Sequence, residues 1–293
     1  MINPSLLKEV ERRLDGISTN DTLSIGKLEQ LMEDVSWLPL PQMLKTERPD
    51  RAAHAILDGR LAILIEGCPF AGVLPITLSS ILESGEDADL RQPVGTVVRC
   101  IRAIGALISV FLPGYFLALA LHHPGQLSSE ILETVIASRA MVFLPLWVEM
   151  IFLLLIFQLV REAGLRVPGA IGQAIGIIGG LLLGQAAVSA NIVSTVVLII
   201  VALSGLGNFA IPDYSAQVSI SYYRIGLCLA ATAGGLLGVA AAALSMTAVL
   251  ANHKSFGVPF LTPFAPVAKH SGGLFYRAAY RSEARTSDWS NSV

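Results

Sequence analysis

REAGLRVPGAIGQAIGIIGGLLLGQAAV, residues 161–188, runs directly into SANIVSTVVLIIVALSGLGNFAIPDY, residues 189–214. Gly172, Gly176, Gly180 and Gly184 recur every fourth residue within an apolar run. Four residues are slightly more than one helical turn, so these glycines line one helix face as a smooth groove. In water such a face is costly, because each glycine weakens a helix by about 1 kcal/mol relative to alanine. In a bilayer it is useful, because missing side chains let helix backbones approach closely. The stretch therefore predicts a membrane protein with tightly packed helices.

The rest of the chain agrees. Hydrophobic residues make up 53% and charged residues only 14%, against about 25% charged in an ordinary soluble domain; mean hydropathy is +0.64. Charge concentrates before residue 103 and is sparse from 103 to 252. This predicts a cytoplasmic α+β domain over residues 1–92, a helical transmembrane domain over 93–252 and a cytoplasmic tail over 253–293. The net charge of −2 points away from nucleic acid. Cys68, Cys100 and Cys228 are scattered, which predicts neither a disulfide framework nor a metal site. No phosphate-loop, nucleophile-elbow or metalloprotease pattern occurs, so no enzyme and no cofactor are expected.

In the first domain, apolar spacing predicts helices over residues 4–14, 23–35 and 46–57. Residues 61–65 and 70–76, separated by Glu66 and Gly67, predict a hairpin. Five apolar stretches follow, at 104–121 (kinked near Pro113), 141–160, 171–188, 192–211 and 225–251. Arg91, Arg99 and Arg102 before the first, and Lys254, Lys269, Arg277, Arg281 and Arg285 after the last, place both ends in the cytoplasm. Two cytoplasmic ends require an even number of crossings. The expectation is a bundle of 4–5 transmembrane segments, the glycine-rich one being re-entrant.

Several of these strings resemble one family. TERPDRAAHAILDGRLAILIEGCPF (46–70), LPGYFLALALHHPGQL (112–127), the block at 161–188, VALSGLGNFAIPDYS (201–215) and SFGVPFLTPFAP (255–266) are similar, in order, to the A subunit of GerA-type spore germination proteins. That group also includes a related stage V sporulation membrane protein. Two departures stand out. The family's N-terminal region is usually longer, so a fragment, a short paralogue or a misassigned start is expected. Residues 139–145 read RAMVFLP where the family reads close to REGVPFP.

The resemblance implies a homo-oligomer in the spore inner membrane, beside a permease-like B subunit and a lipoprotein C subunit. It implies a nutrient-gated channel for monovalent cations and no catalysis. The alternative is a non-conducting scaffold or signalling subunit. A secondary transporter is disfavoured because the apolar stretches show no repeat between halves.

Particular residues are candidates for these roles. Glu149 falls near the middle of the second predicted span, where a carboxylate costs roughly 2.5–3.5 kcal/mol and must face protein or water. It reads either as a pore or gating acid or as an acid bonded between helices. With no basic residue inside the predicted spans, an internal ion pair is not expected. Gln173, Gln185, Asn191 and Asn208 read either as pore-lining groups or as hydrogen-bonding ties between helices. Gly172, Gly176, Gly180 and Gly184 serve helix packing within a subunit or between subunits. His122 and His123 form a turn in which adjacent rings point apart, which disfavours metal binding.

Overall fold

The computed structural model describes residues 4–18, 24–34, 38–88, 90–166, 180 and 182–262. It divides into two compact units. One comprises residues 1–103, 211–219 and 247–293; the other comprises 104–210 and 220–246.

The first unit is a small α+β body. Pro4–Asp15, Ile25–Met32 and Pro49–Leu57 are helices. Ser24 caps the second, its hydroxyl accepting from the Lys27 N–H. Leu61–Leu64 and Ala71–Leu74 pair antiparallel, Leu61 opposite Leu74, as their spacing predicts. Gly67, at φ 79°, serves the connection between them. A third strand, Leu44–Thr46, has no counterpart in the sequence reading. It pairs on the other side of Ala71–Leu74, making that strand central and buried on both faces.

The core joins Leu6, Val10, Leu28, Met32 and Met43 to Leu74 and Phe256. Phe256 arrives from far along the chain. Lys254–Ser255 and Val258–Pro259 form a minimal hairpin around Phe256 and Gly257, both at positive φ. The buried Ser255 hydroxyl donates to the Gln42 carbonyl (2.9 Å) and accepts from the Ile76 N–H (3.1 Å). The SFGVPF string is thus a plug for this unit. The rest of that motif, from residue 263, lies outside the described residues.

His253 adjoins the plug. Its ring meets Phe260 edge-on at 5.4 Å, and neither ring nitrogen has a hydrogen-bond partner among the described residues. Burial pushes its pKa below the ordinary 6.5, with the Asp34 charge opposing. The unfolded chain therefore takes up this proton more readily than the folded one. Stability is full above about pH 6.5 and declines as pH falls from there to the depressed folded value. His253→Phe should flatten that slope in urea melts run between pH 5 and 8. An unchanged slope would assign it to another group.

The second unit is helical. It takes residues 104–122 and 220–246 from two helices long and apolar enough to cross a membrane, Pro93–His122 and Tyr214–Asn252, and Thr195–Phe209 is a shorter apolar helix. Gln92–His122 is one helix through Pro113 and begins twelve residues before the apolar run predicted at 104–121. Tyr214–Asn252 begins eleven residues before the run predicted at 225–251, because Asp213 caps it by accepting from the Ala216 N–H at 2.8 Å. Within it Gly235 adopts φ 56°, a break that a β-carbon would oppose twice, by its conformation and against His122. Leu146–Arg166 is helical. At 15 residues, Thr195–Phe209 falls short of the roughly 20 that a full crossing needs. The re-entrant expectation falls mainly on residues 171–179 and 181, outside the described residues.

Val110, Leu117, Met150, Leu154, Val197 and Leu227 meet in the core of this unit. Its closest helix approaches come from scattered glycines. A β-carbon on Gly207 would collide with the Gly105 carbonyl oxygen, and one on Gly114 would press on the Leu227 backbone at 3.3 Å. In the predicted ladder, Gly172 and Gly176 lie outside the described residues, Gly184 is buried against Leu198, and Gly180 is exposed. Gly207→Leu is expected to lower the thermal midpoint in detergent, costing at least about 2 kcal/mol, because a backbone oxygen cannot rotate away. A wild-type midpoint would show that the two helices can separate freely.

Candidate functional site

Two buried polar groupings interrupt the apolar core of the second unit. Both involve the Thr195–Phe209 helix, one at its N-cap and one about 15 Å further along.

At the N-cap, Glu149 is fully buried. It occupies the first turn of Leu146–Arg166 rather than mid-span, because that helix starts only after Pro145. One carboxylate oxygen accepts from the Ser194 N–H and the Ser194 hydroxyl, both at 2.6 Å. The other accepts from Arg139 Nε at 3.3 Å. Arg139 also donates Nη2 to the Leu144 carbonyl at 3.0 Å. The expected lack of an internal ion pair is thus overturned: its partner, Arg139, stands ten residues upstream on the Ser129–Arg139 helix. Ser194 itself caps Thr195–Phe209, accepting from the Val197 N–H. The carboxylate therefore sits at the N-termini of two helices, where both dipoles favour negative charge.

Along the helix, Arg224 is 1% exposed. Its Nη1 donates to the Ser204 hydroxyl (2.9 Å), which donates to the Ser109 carbonyl (2.9 Å). One turn on, Asn208 Nδ2 donates to Ser221 Oγ at 3.3 Å. A guanidinium, two serines and a carboxamide thus form a polar seam through three helices. Arg161 is a second buried arginine in this unit.

Of the predicted site residues, Glu149 and Asn208 are buried and bonded, whereas Gln185 and Asn191 are exposed. Asn191, at φ 53°, turns the chain ahead of Ser194. Gln173 lies outside the described residues. His122 Nε2 meets the Thr232 carbonyl at 3.0 Å, and the His123 ring is centred 6.5 Å away. Among the described residues no three metal-ligating side chains converge.

Sequence reasoning missed Arg224, Ser194 and Ser204. Arg224 falls one residue before the predicted fifth stretch. The signal that finds it is the Pro212-Asp213 helix start, which extends the helix to cover it.

The family model of the Bacillus/Clostridium GerA spore germination protein matches residues 1–288. This chain belongs to the GerA family. Spore germination protein GerLA of Bacillus cereus is 39% identical over 266 residues, covering 91% of this chain and 54% of that protein. Spore germination protein B1 of Bacillus subtilis (strain 168) is 38% identical over 258 residues, covering 88% and 53%. An uncharacterised membrane protein of the same strain, YfkQ, is 30% identical over 286 residues, covering 97% and 56%. The chain spans about half the length of these curated relatives. No solved structure matches it.

Proposed function

We propose that this GerA-family chain acts as the A subunit of a spore germinant receptor, a multi-pass protein of the spore inner membrane with a cytoplasmic N-terminus. In this reading it works beside a permease-like B subunit and a lipoprotein C subunit. Several copies assemble into a nutrient-gated channel for monovalent cations. The observation that carries the reading is the family match along nearly the whole chain, supported by two helices apolar and long enough to cross a membrane. In this reading several copies together, rather than one chain, enclose the water-filled path.

A second reading, a non-conducting scaffold, is favoured by one observation. Glu149 and the Asn208 amide bond inside a single protomer, which leaves them engaged rather than free to line a path.

Light scattering on the purified full chain in mild detergent, corrected for bound detergent, separates the two. A discrete ring of several copies, with rubidium flux from proteoliposomes, is expected of the channel. A stable monomer without flux overturns it in favour of the scaffold.

A further inference from the structure

Beside Arg139 the second unit has a cavity of about 370 Å³. Ala120, Leu132, Val135, Ile136 and Leu146 wall it with hydrocarbon, and Arg139 is the charged group on its lining. Arg139 commits Nε to Glu149 and Nη2 to Leu144, and no acceptor is placed on Nη1 among the described residues. Ile131, Met141 and Trp147, chain neighbours of lining residues, are apolar and exposed, as are Phe143 between Ala140 and Leu146 in sequence and Ile136 on the lining itself.

So many exposed apolar side chains around an apolar cavity mark a surface that meets something other than water. A tryptophan beside a spanning bundle suits the level of lipid headgroups. We propose that this cavity binds one anionic phospholipid of the bilayer, an acyl chain lying against Leu132, Val135 and Leu146 and a phosphate oxygen accepting from Arg139 Nη1. A guanidinium suits this role because its planar fork can hold a buried carboxylate and a phosphate together. Glu149, 3.3 Å from Arg139 Nε, already offsets much of its charge, so the phosphate is held chiefly by the Nη1 hydrogen bond; the acids on the same helix add little to that offset. Glu130 and Glu133 do not line the cavity, and the nearer precedes Arg139 by six residues, about 9 Å along the axis. The lipid would share its arginine with Glu149, so occupancy would hold Arg139 against the cap of Thr195–Phe209. The inference does not depend on whether the assembly conducts.

Trp147 adjoins the lining residue Leu146 and provides the probe. With Trp37 and Trp289 replaced by phenylalanine, the full chain is reconstituted in vesicles carrying brominated phosphatidylglycerol or brominated phosphatidylcholine. The anionic lipid should quench Trp147 with an apparent association about two-fold stronger, below the roughly five-fold that one unpaired arginine near the surface supplies. Arg139→Gln should bring the two lipids to parity. Because that variant also weakens the Glu149 pair, Ala120→Phe provides a second test: it obstructs the cavity wall and keeps Arg139, and it too should abolish the preference. Equal quenching in the parent protein, or a preference that survives Ala120→Phe, overturns the proposal. So does displacement of the anionic lipid by hexanoate, which would make a soluble carboxylate the occupant.

Discussion

Asp87→Asn is expected to destabilise the first unit by about 3–5 kcal/mol, the range for removing one partner of a buried ion pair. Asp87 is 2% exposed and faces the Arg102 guanidinium in a two-pronged arrangement, Nη1 to Oδ2 at 2.9 Å and Nη2 to Oδ1 at 3.1 Å. Arg99 stands 3.5 Å from the same carboxylate, and Arg102 also donates to the Leu82 carbonyl. Burial pulls the Asp87 pKa upward, but the Arg102 bond, the Ser84 N–H and the two arginine charges outweigh it and leave it lowered. The contribution is therefore present above the unfolded value near pH 3.8 and is lost as pH falls through the depressed folded value. Asparagine keeps the shape and leaves Arg102 buried without its countercharge. Denaturation of Asp87→Asn beside Asp87→Asn/Arg102→Met measures the effect. The double variant should recover part of the loss, because the stranded charge is gone. A single variant as stable as the parent would mean that water reaches this pair.

Glu149→Ala is expected to cost about 2–4 kcal/mol in detergent unfolding, mainly through the N–H and O–H of Ser194 losing their acceptor. Arg139 contributes less, because its side chain is 26% exposed and can rehydrate. Glu149→Gln keeps an acceptor for Ser194 and should cost about half as much. Rubidium flux in the glutamine variant then separates two roles. Altered flux in protein that still accumulates would give the carboxylate a part in permeation or gating. Unchanged flux beside lowered stability would make it a clamp between the starts of two helices. Equal stability of all three proteins would sink the clamp.

The pairing in this clamp could not be read along the chain. Arg139 and Ser194 stand ten and forty-five residues from Glu149, and no local period links them. What could be read was that a carboxylate in apolar surroundings needs partners. The polar seam was hidden for another reason. Hydropathy marks where an apolar run begins, whereas a helix begins at its cap, and the Tyr214–Asn252 helix starts eleven residues before the first residue counted in the run.

The sequence by itself determined the family, the apolar character of the helical unit, three helices of the first unit and the 61–64/71–74 hairpin. The family rests on the resemblance of long ordered strings; the others rest on composition or on a period of 3.6 or 2, and short windows contain that information. Tertiary structure decided the rest. It set Leu44–Thr46 beside Ala71–Leu74, brought Phe256 back into a core begun at Leu6, and matched Gly105 to Gly207 and Glu149 to Ser194. A three-residue strand is too short to show a period, and a glycine that admits a neighbouring backbone is indistinguishable in sequence from one that bends its own. Such choices are made when buried groups compete for partners across the whole chain, and no local stretch records the outcome.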